Sequence, residues 1–147
     1  MTAIIVSRVR ECSVAVAILL YAICTVVAQP VTAIKLNDNA VAFATQLIKE
    51  GHFTADGKGA WREHRPSADE ENEFIRLHGF GEYAKWHLAV DQRYAENTKR
   101  RYKFPYGNFK TVHRCGLLAA KTRAAQYKYS DIKYAAERLI EMIRQRK

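Results

Sequence analysis

His113 and Cys115 stand two residues apart in "VHRCGL", and a histidine near a cysteine is a pairing that both nucleophilic catalysis and metal coordination use. Spacing decides what they can do together. On an α-helix, residues two apart point about 200° apart, so the two side chains face away from each other; in extended backbone they share a side. A zinc site needs further ligands, and neither a CxxC pair nor a second cluster at ligand spacing supplies them. Cys115 therefore reads as a small core residue. His87, beside Trp86, has the chemistry of a general base, but Glu82 and Tyr83 are neighbours in sequence only and nothing places a nucleophile for it. It reads as a packed, hydrogen-bonded histidine. Gly57 and Gly59 lack the Lys-Ser/Thr of a phosphate-cradling loop. The acidic run Asp69, Glu70, Glu71 and Glu73 follows Ser67 and suits a positively polarised helix start better than a cation site. The expectation is a protein that is not an enzyme, with no catalytic residue, no metal and no cofactor.

Binding is better served. Residues 99–116, "KRRYKFPYGNFKTVHRCG", interleave cations with rings. Between Glu96 and Asp131 lie 34 residues without an acid and with nine Lys or Arg. Cations attract phosphates and release counterions, rings stack on unpaired bases, and a helix start favours anions. The candidate anion- or nucleic-acid-binding residues are Lys99, Arg100, Arg101, Tyr102, Lys103, Tyr106, Lys110, Arg114, Lys121 and Arg123. Set against this, Phe104, Tyr106 and Phe109 can anchor the loop to the core and leave the cations merely solvated. The expected function is a small binding module for an anionic partner, nucleic acid first. The alternative is an interaction or assembly protein that takes an acidic protein segment, in the cell envelope or in a phage-derived particle.

The whole chain supports an anionic partner without choosing it: 147 residues carry a net charge of +9. Residues 12–34 run for 23 positions without a charge, after Arg8 and Arg10. That is long enough to insert in a membrane and also has the layout of a secretory signal. Both readings place the remainder in a membrane-anchored or exported setting. A translation start further downstream would leave it cytoplasmic. Cys12 and Cys24 lie in this leader, so residues 35–147 hold only Cys115 and no internal disulfide. The domain organisation expected is a leader over 1–34 and one helical domain over 35–147.

The elements that must position these groups read as mainly helical. "NDNAVAFATQLIKEG" has Asn37 or Asp38 as cap and Gly51 as stop. Asp56-Gly57 and Gly59 mark a short hairpin or a loop near residues 52–61. Ser67 and Glu70 form a capping box for a helix that Gly79 ends. "GEYAKWHLAVDQ" places Tyr83, Trp86, His87 and Val90 at helical spacing, predicting a short helix. Pro105 keeps Phe104 out of the helical region, so the basic stretch is extended. A long helix is expected from near Asn108 to about Tyr127, with Gly116 marking a close backbone contact, and a last one from Ser130. The fold class expected is a compact bundle of about five helices.

The segments "KWHL", "ENTK…YKFPYG" and "VHRCGL" resemble a family of small bacterial helical proteins, over about residues 36–143. More distantly, "YKFP" followed by a basic, small-residue helix is similar to helical modules of tailed-phage head-assembly proteins. The resemblance implies a compact, mainly helical domain and no particular activity. The apolar leader departs from that family's pattern and weighs against the exported reading.

Overall fold

The computed structural model describes residues 33–146. The readings on the leader fall outside them, except at Ala33 and Ile34. No helix among the described residues is long and apolar enough to cross a membrane.

Chain order is β1 (Ile34–Leu36), α1 (Asp38–Lys49), β2 (Phe53–Thr54), α2 (Trp61–His64), α3 (Ala68–Ala84), β3 (His87–Asp91), a single 3-10 turn (Lys99–Arg101), β4 (Tyr102–Pro105), β5 (Val112–His113), α4 (Arg114–Gln126) and α5 (Ser130–Gln145). The described residues are 57% helical and 15% strand, so the fold is mixed α/β and not the expected bundle of about five helices. β3 is central in an antiparallel sheet of order β1-β3-β4, with Leu36 opposite Ala89 and Ala89 opposite Lys103. β2 and β5 form a separate parallel pair, Phe53 with Val112 and Thr54 with His113.

Several local signals hold. Asn37 caps α1 by accepting from the Ala40 N–H, and its amide donates to the carbonyls of Ala84 and His87, tying α1 to the start of β3. Ser67 and Glu70 complete their capping box. Gly79, at φ 78°, breaks α3, which resumes as a short segment through Ala84. α5 opens at Ser130 and buries Ile132, Ala136, Leu139 and Ile143.

The main correction is at "WHLAVD". The helical spacing of Trp86, His87 and Val90 is coincidental, because the segment is the middle strand. It is flanked on both edges and packed against α1 and α5, so four of its five residues are buried and the alternation that marks a half-exposed strand is missing. A second correction concerns residues 52–61. Phe53–Thr54 do not fold back as a hairpin but pair with Val112–His113 far along the chain. The long helix therefore begins at Arg114, not near Asn108. Asn108 instead builds a turn, its Oδ1 accepting from the N–H groups of Lys110 and Thr111.

The core joins α1, β3, α4 and α5 around Ile48, Leu88, Leu117, Ile132, Leu139 and Ile143. Each such fully buried side chain contributes about 1.5–3 kcal/mol. Tyr106 and His87 are among the polar side chains drawn into the interior. The Tyr106 hydroxyl donates to the Lys85 carbonyl at 2.6 Å, with the Ala40 carbonyl 3.2 Å away, and burial pushes its pKa up. His87 donates from Nδ1 to the Tyr83 carbonyl at 3.0 Å, and burial pushes its pKa down to about 4.

The neutral form of His87 is the folded form. An unfolded chain protonates it below about pH 6.5, while the folded chain resists until about 4. Its contribution is thus complete above about pH 6.5 and falls away as pH drops towards 4, by on the order of 3 kcal/mol. Urea unfolding of His87→Leu at pH 7 and pH 4.5 should show a markedly smaller loss of stability on acidification than the parent; equal losses would refute this. The two helical glycines at positions 81 and 116 should respond oppositely to alanine. A Cβ on Gly116 would meet the Tyr106 carbonyl and the Trp61 ring at 2.9 Å, whereas one on Gly81 meets nothing within 4 Å. Gly116→Ala should cost about 1–3 kcal/mol and Gly81→Ala should gain up to about 1 kcal/mol, read by thermal unfolding.

Candidate functional site

Two features meet at the start of α4. The first is a cluster on the Asp56 carboxylate. β5 ends at His113 in extended backbone and α4 begins at Arg114, so the chain changes period between His113 and Cys115. That junction turns both side chains the same way, as two successive helical positions could not. His113 Nδ1 lies 2.7 Å from Asp56 Oδ2, the Cys115 N–H donates to Asp56 Oδ1 at 2.6 Å, and the Cys115 thiol reaches Oδ2 at 3.0 Å. α2 adds His64, whose Nδ1 is 2.7 Å from the same Oδ2 and 3.6 Å from the Cys115 sulfur. The nitrogen, sulfur and carboxylate oxygen donors of these four residues lie within 4.8 Å of one another. Arg114 donates to the Asp56 carbonyl, closing the loop from the outside.

Electrostatics here oppose a free nucleophile. Burial pushes the Asp56 carboxyl up, but hydrogen bonds from His113, Cys115 and His64 together outweigh it and hold the group at about 2. Burial, reinforced by the Asp56 charge, pushes the Cys115 thiol up to about 12. A thiol in that state supplies almost no thiolate at neutral pH. The Trp61 ring covers this corner, its centroid 6.3 Å from that of His113, and Gly116 lets it approach the backbone of α4.

The second feature is a groove of about 1020 Å³ running from this corner between β4 and α4. Lys58, Arg65, Arg93, Lys103 and Arg123 line it together with Trp61, Tyr94, Tyr102, Phe104, Tyr127 and Tyr129, and Cys115 lies on its floor. Its one acid, Asp91, is buried and holds both its oxygens on Arg93, at 2.9 and 2.7 Å. No described carboxylate is within ion-pair distance of Lys58, Arg65, Lys103 or Arg123. Arg93, Arg100 and Lys103 gather around the Tyr94 ring, 5.5–5.9 Å from its centre, and Arg123 lies over Tyr127. Phe104 reaches the groove with φ 61°, a strained setting for an aromatic residue.

The ten residues singled out from sequence divide. Tyr102, Lys103 and Arg123 line the groove, and Arg100 lies beside it over Tyr94. Lys99 is paired with Glu71 at 2.7 Å, Arg101 with Glu96 and the Tyr94 carbonyl, and Lys121 with Glu137. Arg114 serves the Asp56 loop, and Lys110 is exposed on the Asn108 turn. Tyr106 is wholly buried, so it has no face to offer a base. The sequence does not single out Lys58, Arg65, Arg93 and Tyr94, which lie on loops, or His64, which ends α2. Asp56 reads in sequence only as a turn residue. The available signal is the second option for His113 and Cys115, in which extended backbone lets them share a side.

No protein-family model, curated protein or solved structure matches the chain.

Proposed function

We propose that the chain is a small binding module that holds nucleic acid, single strands in preference to duplex, in the groove between β4 and α4. The observation that carries this reading is the pairing of four cations lacking a described acidic partner with rings that line the same surface. Lys58, Arg65, Lys103 and Arg123 line one channel, which can neutralise the phosphates of a strand laid in it. The rings of Tyr127 and Tyr129 stack on each other with Tyr127 half exposed, giving a face on which an unpaired base can lie. A duplex would bring phosphates but keep its bases stacked inside, leaving the rings unused. The volume is at the upper end for small-molecule pockets, and the lining is richer in cations than such pockets usually are.

Fluorescence anisotropy with a short labelled oligonucleotide across a salt series tests this. The parent should bind single strands more tightly than duplex, with affinity falling as salt rises. Replacing Lys58, Lys103 and Arg123 together by Ala should reduce the slope of log affinity against log salt by about 2, at roughly 0.7 for each phosphate no longer neutralised. Tyr127→Ala should weaken single-strand binding by about 1–3 kcal/mol. Arg76 and Arg144, both exposed and each paired with a glutamate on its own helix, provide the control: changing them should leave the slope unaltered. Absence of binding at low salt, or an unchanged slope in the triple variant, would sink the proposal. An acidic peptide bound as tightly, and insensitive to Tyr127→Ala, would assign the groove to acidic protein segments instead.

A further inference from the structure

The crowding on Asp56 Oδ2 has its own meaning, independent of what the groove holds. Three polar groups converge on that single oxygen: His64 Nδ1 and His113 Nδ1, each at 2.7 Å, and the Cys115 thiol at 3.0 Å. A carboxylate oxygen has two lone pairs, so one donor is in excess. A single cation satisfies all of them at once. We infer that Asp56, His64, His113 and Cys115 form a tetrahedral binding site for a zinc-type divalent cation.

The donor set fits the ion. Two imidazole nitrogens, one thiolate and one carboxylate oxygen are the ligand types zinc takes, and soft sulfur disfavours magnesium and calcium. Tetrahedral bonds of ordinary zinc length place ligand atoms roughly 3.4–3.8 Å apart. The Cys115 sulfur and His64 Nδ1 are already at 3.6 Å, and all four atoms lie within 4.8 Å of one another. To reach that geometry the carboxylate oxygen withdraws by roughly 0.7–1 Å from the two imidazoles and the sulfur, and the most widely separated pair of donor atoms closes by about 1 Å. Supporting contacts are also in place. Thr111 Oγ1 is 3.3 Å from His113 Nε2 and can accept its proton once Nδ1 binds the ion, and the Cys115 N–H fixes the second carboxylate oxygen.

The balance is simple. The Cys115 thiol gives up one proton to solvent as its sulfur binds. Each neutral imidazole moves its proton from Nδ1 to Nε2 with no net release. A divalent cation, a thiolate and a carboxylate sum to zero charge, which suits a corner covered by Trp61. Four protein ligands leave no open position, so the ion is a staple and not a reaction centre. What it staples is evident from α2, a single turn with no side-chain cap and no buried residue of its own. Through His64 the ion would hold the segment that carries Trp61 and Arg65 to the rim of the groove.

The test uses the full chain carrying Cys12→Ser and Cys24→Ser, which leaves Cys115 as its one thiol. Metal-free protein is titrated with zinc against a competing chelating dye, and separately with cobalt. One equivalent of zinc should bind, releasing about one proton per ion in weakly buffered solution. Cobalt should give a tetrahedral visible spectrum with a sulfur-to-metal charge-transfer band. Cys115→Ser should abolish that band. His64→Gln, at a partly exposed position that should tolerate the change, should weaken zinc binding at least tenfold, and Thr111→Val by about 10-fold or more. Failure of the parent to bind an equivalent of either metal would overturn the inference without recourse to any variant. So would zinc binding that His64→Gln leaves unchanged in a chain whose circular dichroism matches the parent.

Discussion

Two stretches of chain separated by 57 to 59 residues meet at the Asp56 carboxylate, and most of what surrounds the groove is fixed by that meeting. The β2–β5 pair contributes only two residues from each strand, too little to hold by itself. Its neighbour Asp56 supplies the rest, accepting from His113 and from both the backbone and the sulfur of Cys115. A carboxylate at this depth survives as an anion only because so many donors face it. The arrangement in turn specifies where β5 must stop and α4 must start. Moving that junction by one residue would send either His113 or Cys115 to the opposite side.

The basic-aromatic stretch serves two faces of the molecule, residues 102–105 lining the groove and the rings that follow packing inward. Tyr106 and Phe109 turn inward, the first capped by backbone carbonyls and the second stacked on Phe74 at 4.1 Å. Lys103 and Phe104 turn towards the groove. Rings that look equivalent in sequence therefore have opposite uses: some attach the strand to the core and others form the wall. The cations divide too, since Lys99, Arg101 and Lys121 are paired with Glu71, Glu96 and Glu137, while Lys103 and Arg123 line the channel with no described carboxylate at ion-pair distance.

Local chemistry is legible in the sequence. The Asn37 cap and the Ser67–Glu70 box depend on residues within a turn or two and are found, Gly79 breaks its helix without ending it, and Gly116 does mark a close contact, although the partners, Trp61 and Tyr106, lie elsewhere in the chain. Tyr102–Pro105 is a strand, but Phe104, the residue that Pro105 should hold extended, stands at φ 61° in the left-handed region, so that local rule does not carry here. What escapes is long-range. A strand buried on both faces and along both edges carries no alternation, and "HLAVD" is as apolar as a helix segment. The parallel pairing of Phe53–Thr54 with Val112–His113 leaves no trace in either segment alone. The groove is half legible for the same reason. Its β4 and α4 walls come from one contiguous stretch, while Lys58, Arg65 and Arg93 arrive from loops whose placement only the packed fold decides.

The separation in sequence across the Asp56 corner bears on how the protein comes into being. As the chain emerges from the ribosome, Asp56 and His64 appear well before their counterparts on β5 and α4, and loop closure over such a span is slow and entropically costly. The helices α1 and α3 can form early from their own caps. The corner cannot, so it is assembled late, and a truncated nascent chain ending before Val112 leaves the Trp61 segment without an anchor.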